Sequence, residues 1–181
     1  MVDHPWRFVS QILGNFSSDE HVLRPRAARV QLLLYGDYSC SLTAKHDTAI
    51  RDALGEIPED VAYIYRHYPQ GAAGRRAAEC AVAAARQDRF WPMHAWLLTH
   101  QSQLDDASLV EHAVTLHLDV ARFLKDLAGS APREKVRADG RHARAAGVSR
   151  TPSIFLQGQR LEFELKVEGV LAQLDWASTH R

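Results

Sequence analysis

An excess of charge of either sign is the first thing this chain lacks. Twenty-two lysines and arginines stand against twenty-two aspartates and glutamates, for a formal net charge of +0. Without a basic surplus there is no electrostatic footprint for nucleic acid or for an anionic membrane surface. The small arginine groups that do occur (Arg24, Arg26 and Arg29; Arg137, Arg141 and Arg144) are interleaved with apolar residues at helical or loop spacing, and they read as solvated faces rather than a phosphate track. Long apolar runs are missing too: none approaches the roughly 18–20 residues needed to span a bilayer. The opening residues, Met1 to Ser10, show no basic stretch followed by an apolar one, so no secretory signal is read there. Cysteine is scarce, with two in 181 residues, which excludes a disulfide-stapled scaffold. Together with the missing signal, that scarcity leads us to expect a cytoplasmic, reducing location. The ten histidines do not fall at the i, i+4 spacing of a helical metal pair, so no metal is expected. No Ser-His-Asp set, phosphate loop, paired-carboxylate motif or internal repeat stands out.

What is present is an ordinary globular composition, 46% hydrophobic and 24% charged, in a length that suits one domain with a real core. Residues 1–28 read as a lead-in, with an amphipathic helix from Pro5 to Leu13 and then a polar linker. Its apolar residues Trp6, Phe8, Val9, Ile12 and Leu13 fit either a docking or dimer contact or packing on the chain's own domain. Arg29 to Tyr35 suits a buried strand. Ser41 to Leu54 reads as a helix, preceded by capping chemistry at Asp37 and Ser39 and closed by Gly55 and Pro58. Val61 to Arg66 is a second strand, stopped by Pro69 and Gly71. Helical periodicity then runs through 75–87, 91–101, 106–116 and 119–127. Gly129, Ser130 and Pro132 break the chain before a helix over 133–146 that ends at Gly147. Strands at 153–157 and 160–163 flank a tight turn at Gly158, and Val167 to Trp176 closes as an amphipathic helix. The order is β-α-β, a helical block, α, then β-β-α.

The chemistry concentrates in two places. Tyr35-Gly-Asp-Tyr38-Ser-Cys40-Ser41-Leu-Thr43 carries a strand into a cysteine at a helix start, and Thr151-Pro152 leads into a strand more than a hundred residues later. A cysteine at that junction, facing a distant X-Pro, is the skeleton of a thioredoxin-type redox site. The helix start directs unpaired backbone N–H groups at the sulfur and favours its thiolate, by about 0.3–1 kcal/mol from the dipole. Cys80 sits with Ala77 and Ala84 on a helix face and reads as a structural, buried cysteine.

Together with Ile64-Tyr-Arg-His67-Tyr-Pro69, Arg89-Phe-Trp-Pro-Met-His94 and Gly147-Val-Ser-Arg-Thr151-Pro152, this sequence resembles the DsbA-like thioredoxin family. Its closest look-alikes there are the short cytoplasmic members and those fused to sodium/proton antiporters. The resemblance covers roughly residues 19–176. It implies an α/β thioredoxin fold with an all-helical insertion, near 75–128, between the β-α-β and β-β-α halves, in a domain spanning 29–181. It also implies that Thr151-Pro152 is a cis-proline loop beside the site.

The family carries Cys-Pro-x-Cys where this chain has Cys40-Ser41-Leu42-Thr43, so the second thiol is absent. Thr43 can hydrogen-bond a Cys40 thiolate but cannot attack a mixed disulfide. The expected function is therefore thiol–disulfide exchange through a single cysteine, with Cys40 and Thr43 as the catalytic pair. Thr151, Pro152, Tyr38 and Ser41 are the expected substrate contacts. Peptide or protein thiols and disulfides are the expected partners, no resident cofactor is expected, and glutathione is the candidate co-substrate. The competing expectation is a redox-inactive binding module that keeps the groove for a protein or peptide partner.

Overall fold

The computed structural model describes residues 20–23, 28, 30–56, 61–161 and 172. Among them, strand β1 is His21–Leu23, β2 is Val30–Gly36 and helix α1 is Ser41–Glu56. Strand β3 is Val61–His67, followed by helices α2 (Ala72–Ala85), α3 (Phe90–Thr99), α4 (Asp106–Thr115), α5 (Val120–Ala128) and α6 (Ala131–Ala145). Strands β4 (Ser153–Leu156) and β5 (Gln159–Leu161) complete the described elements. The expected lead-in helix and the closing helix at Val167–Trp176 lie outside the described residues.

Two units divide the chain: residues 1–35, 45–66 and 152–181 form one, and residues 36–44 and 67–151 form the other. The first holds the sheet, in strand order β1-β3-β2-β4-β5. β2 and β3 read as nearly unbroken apolar runs because both faces are covered, and Leu32 to Tyr35 and Ala62 to Tyr65 are fully buried. β4 pairs antiparallel with β2, Leu33 opposite Phe155, and the Tyr35 and Phe155 rings meet edge to face at 5.8 Å. β4 then turns back into β5 through Gln157 and Gly158, at φ 50° and 78°. Two left-handed residues in a two-residue loop give the turn whose twist matches a hairpin, which is why a glycine sits there.

The sequence reading places no strand before residue 29. Three residues are too few to show alternation, yet His21–Leu23 pair antiparallel with Tyr63–Tyr65 and extend the sheet by one edge strand. A buried ion pair secures that edge, with Arg66 Nε 3.0 Å from Glu20 Oε2 and a second guanidinium nitrogen 3.2 Å from the Tyr35 hydroxyl. The same unit tethers α1 through Asp47, which is fully buried and accepts hydrogen bonds from Tyr63 Oη and Arg51 Nε, each at 2.7 Å. Burial, reinforced by the Asp47 charge, pushes the Tyr63 phenol well above its ordinary value of 10.0, so it remains a donor to that carboxylate.

The second unit is helical and is built around α2, which packs against α3, α4, α5 and α6. Its buried residues are mostly small, with Gly74, Ala77, Ala78, Cys80, Ala81, Ala83 and Ala84 among them, and small side chains let the neighbouring helices approach closely. Start and stop signals fall where sequence chemistry asks for them. Asp105 and Asp119 cap α4 and α5 by accepting from Ser108 N–H and Arg122 N–H, while Pro132 opens α6 and Gly147, at φ 72°, follows it. Asp139 of α6 accepts from the His67 backbone N–H at 3.0 Å and from Lys135 Nζ at 2.6 Å. That buried carboxylate fixes the chain where it leaves β3 for the loop at Tyr68–Gly71.

Candidate functional site

The turn from β2 into α1 sets the position of Cys40. The Cys40 N–H donates to Asp37 O at 3.0 Å, closing a four-residue turn, and Cys40 O accepts from Ala44 N–H at 3.3 Å, the first bond of the helix. Cys40 thus occupies the N-cap, where the first-turn N–H groups have no partner within the helix. Its side chain is half-buried, and its thiol donates to the Thr151 carbonyl with sulfur and oxygen 3.5 Å apart. The structure therefore brings together two residues that lie 111 positions apart in sequence.

Asp37 holds the turn. One carboxylate oxygen accepts from both the Ser39 N–H (2.9 Å) and the Ser39 hydroxyl (2.8 Å), and the other accepts from the Gln70 N–H (2.8 Å). From the sequence, Asp37 reads as a helix cap. In the structure it is an Asx turn that also ties the Cys40 loop to the segment after β3. Gln101 clamps the loop from another side, its side-chain amide donating to Tyr38 O at 2.7 Å and Cys40 O at 3.0 Å. Gly74 leaves room for all of this, because a Cβ there would overlap Asp37 Oδ1 and lie 3.0 Å from Ser39 Oγ.

Thr43 is fully buried, and its hydroxyl oxygen accepts from the Asp37 N–H at 3.3 Å. Accepting that bond leaves the hydroxyl proton for another acceptor. Tyr38, expected as a substrate-contacting wall, is only 1% exposed and its hydroxyl meets His94 Nδ1 at 2.9 Å. The His94 ring is in turn packed by Phe90 and Trp91, at 5.5 and 5.2 Å. The phenol supports the loop from beneath. Ser41 is exposed, Thr151 and Pro152 are half-buried, and Leu42 stands out at 45% exposure beside the cysteine.

Cys80 is fully buried, and that burial pushes its thiol up to about 12 from an ordinary 9.0. It is held as an unreactive thiol at neutral pH. Among the described residues no three His, Cys, Asp or Glu side chains converge as a metal site, and no helix is long and apolar enough to cross a membrane.

Sequence reasoning missed Gln101, Gln70 and Gly74. Gln101 and Gln70 carry no local signal, since an exposed-looking glutamine looks the same whether or not it clamps a distant loop. Gly74 sits inside a run that reads only as helix.

A cysteine at a strand-to-helix turn with its thiol on the Thr151 carbonyl, a mixed sheet and a helical insertion together define the class of thioredoxin-fold proteins. Comparison with known proteins agrees: the family model described as Thioredoxin matches residues 17–176, and the chain belongs to that family. The sodium/proton antiporter NhaA of Herminiimonas arsenicoxydans is 34% identical over 156 residues, covering 86% of this chain and 25% of that protein. The chain thus spans about a quarter of the length of the curated relatives it matches. Among solved structures, a thioredoxin-like oxidoreductase from Silicibacter pomeroyi DSS-3 superposes with a TM-score of 0.82 at 18% identity, covering 91% of this chain and 95% of that one. The thiol-disulfide exchange protein alpha-DsbA2 from Wolbachia pipientis gives 0.81 at 18% identity, covering 93% and 91%. The fold is therefore that of the DsbA-like proteins.

Proposed function

We propose that this protein catalyses thiol–disulfide exchange through Cys40 alone. The observation that carries the reading is the setting of the sulfur: half-buried, at the N-cap of α1, and 3.5 Å from the backbone carbonyl of Thr151. A Cys40 thiolate attacks one sulfur of a substrate disulfide, forming the Cys40–substrate mixed disulfide and expelling the other sulfur as a thiolate. Release needs an external thiol, because Thr43 has no sulfur. Glutathione thiolate attacks the substrate sulfur, regenerates the Cys40 thiolate and leaves with the substrate as a glutathione mixed disulfide. Electrons balance at each step: one S–S bond breaks as one forms.

In this reading an extended peptide pairs with the Thr151–Pro152 backbone as an added strand. The exposed side chains of Leu42 and Ser41 supply an apolar and a polar contact beside the sulfur, which suits peptide or protein substrates. A reducing compartment, rich in glutathione, is the setting in which such a site turns over.

Intact-protein mass after brief exposure to oxidised glutathione tests the chemistry. One glutathione adduct is expected on the wild type and on Cys80→Ser, and none on Cys40→Ser. No adduct on any of them would leave a redox-inactive binding module as the reading and turn the search to protein partners.

A further inference from the structure

On α6, Arg133, Arg137, Arg141 and Arg144 follow one another at intervals of four, four and three residues, which aligns them along one helix face. From the sequence, Arg137, Arg141 and Arg144 read as a solvated face. In the structure all four arginines line a cavity of about 480 Å³ together with Arg75, from the first turns of α2. One carboxylate, the largely buried Glu79, lines it as well.

Two observations bear on these arginines. The first is pairing. Arg51, Arg66, Arg76, Arg86 and Arg122 each have a carboxylate partner. Among the described residues, none of the five cavity arginines has one. Like charges at helical i, i+4 spacing destabilise a helix, so four cations on one face are a cost that the single carboxylate of Glu79 at the cavity does not balance.

The second is Gly140, buried in the interior of α6 at the cavity wall. Glycine is unfavourable there relative to alanine. A Cβ on Gly140 would meet only the tip of the Arg144 side chain, at 3.5 Å, which is ordinary contact. The fold does not demand a glycine at this position. Its effect is to keep the space between the arginines open.

We propose that this cavity binds a small phosphate-bearing organic molecule of nucleotide size. Guanidinium forks match phosphate oxygens two bonds at a time, and five of them around one concavity suit more than one phosphate. The volume falls within the range of small-molecule sites. Val136, Tyr68 and Pro69 give an apolar wall for the uncharged part of the ligand, and Glu79 accepts from its hydroxyl or amino groups. Neither Cys40 nor Thr151 lines this cavity, and the proposal does not rest on their chemistry.

Calorimetric titration with ATP, AMP, adenosine and a short single-stranded DNA oligonucleotide tests the proposal on the full chain. ATP is expected to bind more tightly than AMP, and adenosine not at all. The Arg137→Ala/Arg141→Ala variant should weaken ATP by roughly tenfold or more for each arginine removed, as expected for charged hydrogen bonds. Gly140→Leu keeps every arginine but fills the space, and should abolish ATP binding while the far-ultraviolet circular dichroism stays unchanged. Cys40→Ser should bind as the wild type does, which separates this site from the redox reading. Three results would each overturn the proposal: no ATP binding by the wild type, ATP binding that survives both the arginine and the glycine variants, or preference for the oligonucleotide with insensitivity to Gly140→Leu.

Discussion

Two cysteines with opposite environments define the chain at the scale of the residue. Cys40 is half-buried at a helix start, while Cys80 is fully buried among alanines with its thiol pushed up to about 12. Burial in an apolar setting disfavours the charged sulfur, so the second thiol is inert although it is chemically the same group. The absent partner at position 43 decides what Cys40 can do. Thr43 keeps the geometry of the turn through its bond from the Asp37 N–H but offers no nucleophile. In Thr43→Cys the introduced thiol is expected to attack the mixed disulfide from within the chain, at an effective concentration of roughly millimolar or more. After exposure to oxidised glutathione, intact mass should then show an internal disulfide in place of the lasting adduct held by the wild type. An adduct of unchanged occupancy would mean that position 43 does not face the sulfur.

Among the elements, the turn between β2 and α1 is the part that positions the chemistry, and it depends on groups far along the chain. Asp37 reaches the Gln70 N–H and Gln101 reaches the Tyr38 and Cys40 carbonyls, so the loop is held from two distant segments. Gly74→Ala would drive a methyl group into Asp37 Oδ1 and crowd Ser39 Oγ. An overpacking cost of about 1–3 kcal/mol is expected, read as a lower denaturation midpoint, together with slower adduct formation at Cys40. Normal stability with normal Cys40 reactivity would show that the turn does not depend on this close approach.

Element by element, legibility followed the length of the signal. The apolar runs at Val30–Gly36 and Val61–His67, the start and stop of α6 at Pro132 and Gly147, and the Gly158 turn were all visible because each rests on local chemistry. The three-residue edge strand was not, since its pairing partner lies some forty residues away. The approach of Cys40 to Thr151 was legible as a motif. The buried orientation of Tyr38 was not, because a tyrosine beside a site reads the same whether it faces a ligand or an internal histidine. Arg137, Arg141 and Arg144 read from the sequence as a solvated face, and only the fold shows that they line one cavity with Arg75, Arg133 and Gly140.

For the whole molecule, family membership and a DsbA-like fold rest on the family match over residues 17–176 and on structural agreement across more than nine-tenths of the chain. The structural neighbours are under a fifth identical, so they carry the architecture, while the activity must be argued from Cys40 and its surroundings. The most direct measurement of exchange through Cys40 is steady-state formation of free peptide thiol and oxidised glutathione from a glutathionylated peptide, with reduced glutathione as the second thiol. Turnover by the wild type and by Cys80→Ser, with none above background for Cys40→Ser, is the predicted result. Turnover that persists in Cys40→Ser, or its absence in the wild type, would contradict a single-cysteine exchange site.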